Sequence, residues 1–132
     1  MRFLAVLLIL LGFAFVSYAG PVKDNSLAAS SNGTNIFISW LSDDESGVLY
    51  YELERKAGSG QFVALSRITP MGNNASYNYT DDSAFRVTDN LYQYRVRAVF
   101  SNGASVTYGP IAVSHSVSSV RRTWGSIKAM FR

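Results

Sequence analysis

The chain has 132 residues, a formal charge of +3, 48% hydrophobic and 16% charged side chains, and no cysteine. That length allows one ordinary domain with a real core, and that composition excludes a wholly disordered chain. The absence of thiols excludes disulfides, thiolate catalysis and cysteine-based zinc sites.

Residues 1–19 read as a targeting segment. Arg2 is a short positive start, Phe3 to Val16 is almost wholly apolar, and Ser17-Tyr18-Ala19 forms a small-x-small cleavage site. A helix over the apolar run reaches about 21 Å, short of a bilayer core of about 30 Å. The pattern predicts a cleaved signal helix and a secreted, periplasmic or extracellular location, with or without attachment to a surface.

Residues 20–26 read as a loose polar leader, and Leu27 to Ala29 as a short edge strand before the turn cluster Ser30-Ser31-Asn32-Gly33-Thr34. Asn35 to Leu41 alternates, with Ile36, Ile38 and Trp40 on one face and Phe37, Ser39 and Leu41 on the other. Ser42 to Gly47 is a solvated acidic loop. In the next strand, Val48 to Lys56, Leu49, Tyr51 and Leu53 alternate with Tyr50, Glu52 and Glu54. After Ala57-Gly58-Ser59-Gly60 comes a strand over Gln61 to Ile68, then a loop over Pro70 to Asn74. A short strand covers Ala75 to Thr80, and Asp81 to Asn90 is a long connection.

The clearest pattern lies in Leu91 to Phe100. Tyr92, Tyr94, Val96, Ala98 and Phe100 fall on one side; Gln93, Arg95, Arg97 and Val99 fall on the other. That period of two marks a strand with one buried face. Asn102-Gly103 turns it into a last strand over Ser105 to Ser114. Seven strands at nearly regular spacing predict an all-β, antiparallel two-sheet sandwich over 24–114.

Three stretches resemble the fibronectin type III family. Ile36-x-Ile38-x-Trp40 resembles its second strand, Tyr51-x-Leu53-x-Arg55 its third, and Tyr92-x-Tyr94-Arg95-Val96-Arg97-Ala98-Val99 its sixth. The resemblance implies a seven-stranded immunoglobulin-like β-sandwich, with Tyr92 in the place of the tyrosine-corner residue. It also implies a binding, spacing or adhesive module without catalytic residues. Phe85-Arg86-Val87-Thr88-Asp89-Asn90 replaces the usual Leu-Pro-Gly approach to that corner, and the Arg-Gly-Asp motif of some members is absent.

The residues offer little reactive chemistry. His115 is the single histidine, and its neighbours Ser114 and Ser116 point away from it on an extended chain, so it reads as an exposed strand end. Asp43-Asp44-Glu45 and Asp81-Asp82 carry oxygen ligands but lack calcium-loop spacing, and read as solvated loops. No phosphate-cradling glycine motif occurs. No enzyme activity, metal or cofactor is expected. Asn32, Asn74 and Asn78 each open a glycosylation triplet, which matters only under a eukaryotic secretory pathway.

Two regions remain as candidate binding sites. In the resembled family the third and sixth strands are neighbours, which places Tyr50, Glu52 and Glu54 beside Arg95 and Arg97 on an outward face. That face reads either as a salt ladder or as a recognition surface anchored by Tyr50, with a glycan among its candidate ligands.

The second candidate is the tail, residues 115–132, where Val117, Val120, Trp124, Ile127 and Phe131 follow the spacing of an amphipathic helix. Arg121, Arg122, Lys128 and Arg132 lie off or beside that stripe. The tail carries +4, whereas residues 20–114 hold seven basic and nine acidic side chains, a balance of −2. No nucleic-acid partner is expected, because the folded body is not basic.

A short helix of this kind forms only when its stripe is buried. It would be buried on its own domain, on an anionic membrane surface or in a protein partner. The expectation is an exported, non-enzymatic binding or spacer module tethered through its tail to an envelope surface or partner protein. A structural or adhesive subunit assembling through sheet edges, or a carbohydrate-binding accessory module, is the alternative.

Overall fold

A computed structural model of the chain describes residues 19–84 and 91–115. The expected signal helix and the expected C-terminal helix lie outside the described residues.

Seven strands run in order: β1 (Ala28–Ser31), β2 (Ile36–Leu41), β3 (Val48–Ala57), β4 (Val63–Ile68), β5 (Ser76–Asp81), β6 (Leu91–Phe100) and β7 (Ser105–Ser114). They form two antiparallel sheets, one in the order β1-β2-β5 and the other β4-β3-β6-β7. β1 also lies against β7, which closes one side of the sandwich.

Strict alternation builds the core. Ile36, Ile38 and Trp40 from β2 meet Tyr51 and Leu53 from β3 and Tyr94, Val96 and Ala98 from β6, each at most 1% exposed. Trp40 stacks flat on Tyr77 of β5, with ring centres 5.1 Å apart, and Tyr51 meets both rings edge-on. Such pairs add about 0.5–1.5 kcal/mol each beyond the area they bury. Tyr92 Oη donates to the carbonyl of Ala84, tying β6 back across the preceding connection, as a tyrosine corner does.

Five local readings need correction: Leu49, the leader, His115, and the loop acids Glu45 and Asp81, which read as solvated but are 8% and 2% exposed. Leu49 is 57% exposed rather than buried. The ladder shifts between Val48 and Tyr50, which pair with Phe100 and Val99, so the alternation slips by one residue and Val48 turns to the core instead. The leader is not loose, because Val22 is 2% exposed and bridges Ser42, and Lys23 N–H donates to the Leu41 carbonyl. The amides of Asp43 and Asp44 in turn reach the carbonyls of Pro21 and Gly20. His115 is the third case: it is buried, not exposed, with its ring edge-on to Tyr92 and Nδ1 2.5 Å from Ser31 Oγ.

Candidate functional site

The four-stranded sheet turns its charged residues outward in register. Glu52 pairs with Arg67 on β4 and Arg97 on β6, and Glu54 pairs with Arg95 on β6. Because directly opposite residues share a face, long side chains of opposite sign meet across the strands.

Arg95 grips Glu54 Oε2 with Nε at 3.2 Å and Nη2 at 2.8 Å. Arg97 reaches Glu52 Oε1 at 3.1 Å and Glu54 Oε1 at 3.5 Å, and Arg67 approaches Glu52 Oε2 at 3.5 Å. The guanidinium of Arg95 covers Phe62 at 3.9 Å, and that of Arg67 covers Tyr50 at 4.5 Å. The structure therefore brings Tyr50, Glu52, Glu54, Arg95 and Arg97 onto one face, as the sequence placed them. It also shows two members the sequence reading left out, Arg67 and Phe62. Strict alternation over 61–68 sets Phe62 and Arg67 on opposite faces; the register shift between β3 and β4 at Leu65 brings them to the same one, which a period of two cannot show.

The two glutamates are buried beneath this layer of cations. One ring face of Tyr50 is covered by the Arg67 guanidinium. The ladder's ion pairs are made among its own members, while Arg97 Nε is buried without a hydrogen-bond partner, 3.5 Å from Glu54 Oε1.

Two more carboxylates lie inside the sandwich, at opposite ends of β2. Glu45 belongs to the acidic loop expected to be solvated, yet it is 8% exposed. Its Oε2 accepts from Tyr51 Oη at 2.5 Å and Tyr77 Oη at 2.7 Å, while Oε1 accepts from Gly72 N–H at 2.6 Å. Burial first, and then the bond to Glu45, push both phenols above the ordinary tyrosine value, Tyr77 to about 12.

At the far end Asp81 is 2% exposed. It accepts from Arg55 Nη1 at 2.8 and 3.0 Å, from Tyr94 Oη at 2.6 Å, and from the amide and hydroxyl of Ser83. Burial alone would raise its pKa. The bonds from Tyr94, Arg55 and Ser83, with the Arg55 charge, outweigh burial and hold the carboxyl below its ordinary range. The Arg55–Asp81 pair joins β3 in one sheet to β5 in the other.

The candidate calcium loops thus do not converge, because Tyr77 and Asp81 are four residues apart on β5 and each acid serves its own pole. Among the described residues, no three His, Asp or Glu side chains gather as metal ligands.

The three-stranded sheet shows a different outer face. Phe37 lies between Ser30 and Thr80, Ser39 between Ala28 and Asn78, and Leu41 beside Ser76. None of these side chains is charged, and Phe37 and Leu41 are each 42% exposed. A cavity of about 250 Å³ lies between the leader and β7, lined by Val22, Lys23, Leu27, Tyr108 and Ile111 among others. The tail residues Val117, Val120, Arg121, Arg122, Trp124, Ile127, Lys128 and Phe131 lie outside the described residues.

No protein-family model matches the chain, and no curated protein matches it. Among solved structures, a fibronectin type III-like protein from Clostridium thermocellum is 22% identical, with a TM-score of 0.47 over 67% of this chain and 85% of its own. The pectate lyase Pel3 from Pectobacterium carotovorum is 18% identical, with a TM-score of 0.47 over 72% of this chain. This chain spans 28% of that lyase.

Proposed function

We propose that this protein is an exported, non-enzymatic binding or spacer module whose basic tail tethers it to an anionic envelope surface. One observation carries the reading. Each of the four buried carboxylates is committed to hydroxyl, amide or guanidinium partners within the scaffold: Glu45 and Asp81 link the two sheets, and Glu52 and Glu54 tie strands of one sheet. An acid–base catalyst needs a carboxylate facing a cleft with a proton to move. These face their own scaffold. The body is the rigid part, and attachment falls to the segment after His115.

That segment has the composition for the task. Its four basic residues each add about 1 kcal/mol near an anionic leaflet, and its apolar stripe enters the headgroup boundary. Co-sedimentation of the full chain with vesicles of phosphatidylcholine and phosphatidylglycerol tests the proposal. Replacing Arg121, Arg122, Lys128 and Arg132 together by glutamate abolishes binding on this account. Equal binding by the native and charge-reversed chains refutes it.

A second reading, assembly through sheet edges, draws on β4 and β5. They are sheet edges, and β4 exposes Val63 at 53%. Light scattering of the full chain that shows a concentration-dependent oligomer favours it; a strict monomer counts against it.

A further inference from the structure

The outer face of β1-β2-β5 carries no charged side chain, in contrast to the ion-pair ladder across β4-β3-β6. Phe37 and Leu41 stand on it about 13 Å apart along the strand. Acids bracket it at both ends. Asp82 follows directly after β5, whose last residue Asp81 pairs with Ile36 at the start of β2. Asp43 and Asp44 follow the far end of β2, where their amides are held by the leader.

His115 fixes where the rest of the chain begins. It is buried against Ser31 and Tyr92, and Ser31 pairs with Ile36. Ser31 Oγ also accepts from Gly33 N–H at 3.0 Å, which anchors the serine hydroxyl beside His115 Nδ1. The chain therefore leaves the sandwich beside the beginning of β2. Residues 116–119 are long enough to round the short β1 edge, at about 3.3 Å each. A helix over 120–131 then reaches about 18 Å, against about 20 Å for the six residues of β2.

We propose that residues 116–132 dock along β2 on this uncharged face, with the stripe of Val120, Trp124, Ile127 and Phe131 over Phe37 and Leu41. Arg121 and Arg122 then fall near Asp82, and Lys128 and Arg132 near Asp43 and Asp44. The charge order along the tail matches the charge order along the face. The docked segment is the resting state of the tether proposed above, and only this regulatory consequence rests on that reading. One stripe cannot cover Phe37 and enter a membrane together, so the two burials compete.

Acrylamide quenching of tryptophan fluorescence in the full chain tests the docking. Trp40 is 1% exposed and contributes a shielded background, so the quenchable signal reports Trp124. The native chain is protected, and the double substitution Phe37→Glu, Leu41→Glu raises quenching several-fold. Both positions face outward, so unchanged melting confirms that the variant is folded. Equal quenching in the two chains overturns the proposal.

A second measurement uses the absence of native cysteine. Ser39→Cys with Gly125→Cys forms a disulfide within one chain under mild oxidation. Crosslinks only between chains overturn the intramolecular docking and assign the face to a second copy. With phosphatidylglycerol vesicles, the Phe37→Glu, Leu41→Glu chain binds several-fold more tightly than native. No vesicle binding by either chain refutes the tether alone, and quenching and crosslinking still decide the docking.

Discussion

Asp81→Asn is the sharpest perturbation of the scaffold. In the native chain the carboxylate holds Arg55, Tyr94 and Ser83 at one pole. The side chain of Arg55 is 14% exposed and that of Asp81 is 2% exposed, so water compensates little when the pair is broken. Removing one partner of a buried pair costs about 3–5 kcal/mol, because the other charge stays uncompensated. Against a total stability of about 5–15 kcal/mol this is a large fraction. For a domain of this size it lowers Tm by more than about 10 °C. Urea denaturation of Asp81→Asn, Arg55→Met and the double variant measures it. The double variant is expected to be more stable than Asp81→Asn, since it removes the stranded guanidinium. A loss below about 1 kcal/mol in Asp81→Asn refutes the claim that this pair locks the two sheets.

The same group sets a pH dependence. The folded pKa of Asp81 lies below its unfolded value, so its contribution is present above about pH 4 and is lost as pH falls through the folded value. Acid unfolding monitored by circular dichroism is therefore expected below about pH 4, and Asp81→Asn should flatten that limb. Tyr51, Tyr77 and Tyr94 behave in the opposite sense. Their folded values are raised, so stability is full below about pH 10 and falls as pH rises beyond it. Their tyrosinate absorbance should appear together with unfolding and not before. Gly109→Ala should destabilise by about 1–3 kcal/mol, since its φ of +96° favours glycine and a Cβ would lie 3.0 Å from the Tyr94 carbonyl oxygen. A thermal melt checks this. A double-mutant cycle on Glu54→Gln and Arg95→Gln should give a coupling of about 0.5–1 kcal/mol that shrinks in high salt, because Arg95 is partly exposed.

The strands and the core were legible because a period of two is a local signal. Trp40, Leu53 and Val96 could be assigned to one interior from alternation alone, and the structure puts them in one cluster. The pairing of Glu52 and Glu54 with Arg95 and Arg97 followed once the third and sixth strands were taken as neighbours. What alternation cannot carry is a break in its own period. The bulge at Leu49 is such a break, and it turned a core leucine into a surface one.

Nor can it carry partners brought together by the fold. Glu45 reads as one of three acids in a loop. Only the approach of Tyr51, Tyr77 and Gly72, from three separate stretches, makes it a buried hub. His115 reads as a strand end until Ser31, 84 residues away, meets it. Val22 reads as part of a polar leader because its partner, Ser42, lies beyond two strands and the turn between them.

In the proposed function the sandwich is the scaffold and the tail is the attachment. A heteronuclear NMR titration of the full chain with anionic bicelles tests that division residue by residue. Broadening and shifts confined to residues 116–132 and to the outer face around Phe37 and Leu41, with Glu52, Glu54, Arg95 and Arg97 unmoved, are the predicted result. Perturbation centred on the ladder, with the tail resonances unchanged, contradicts it.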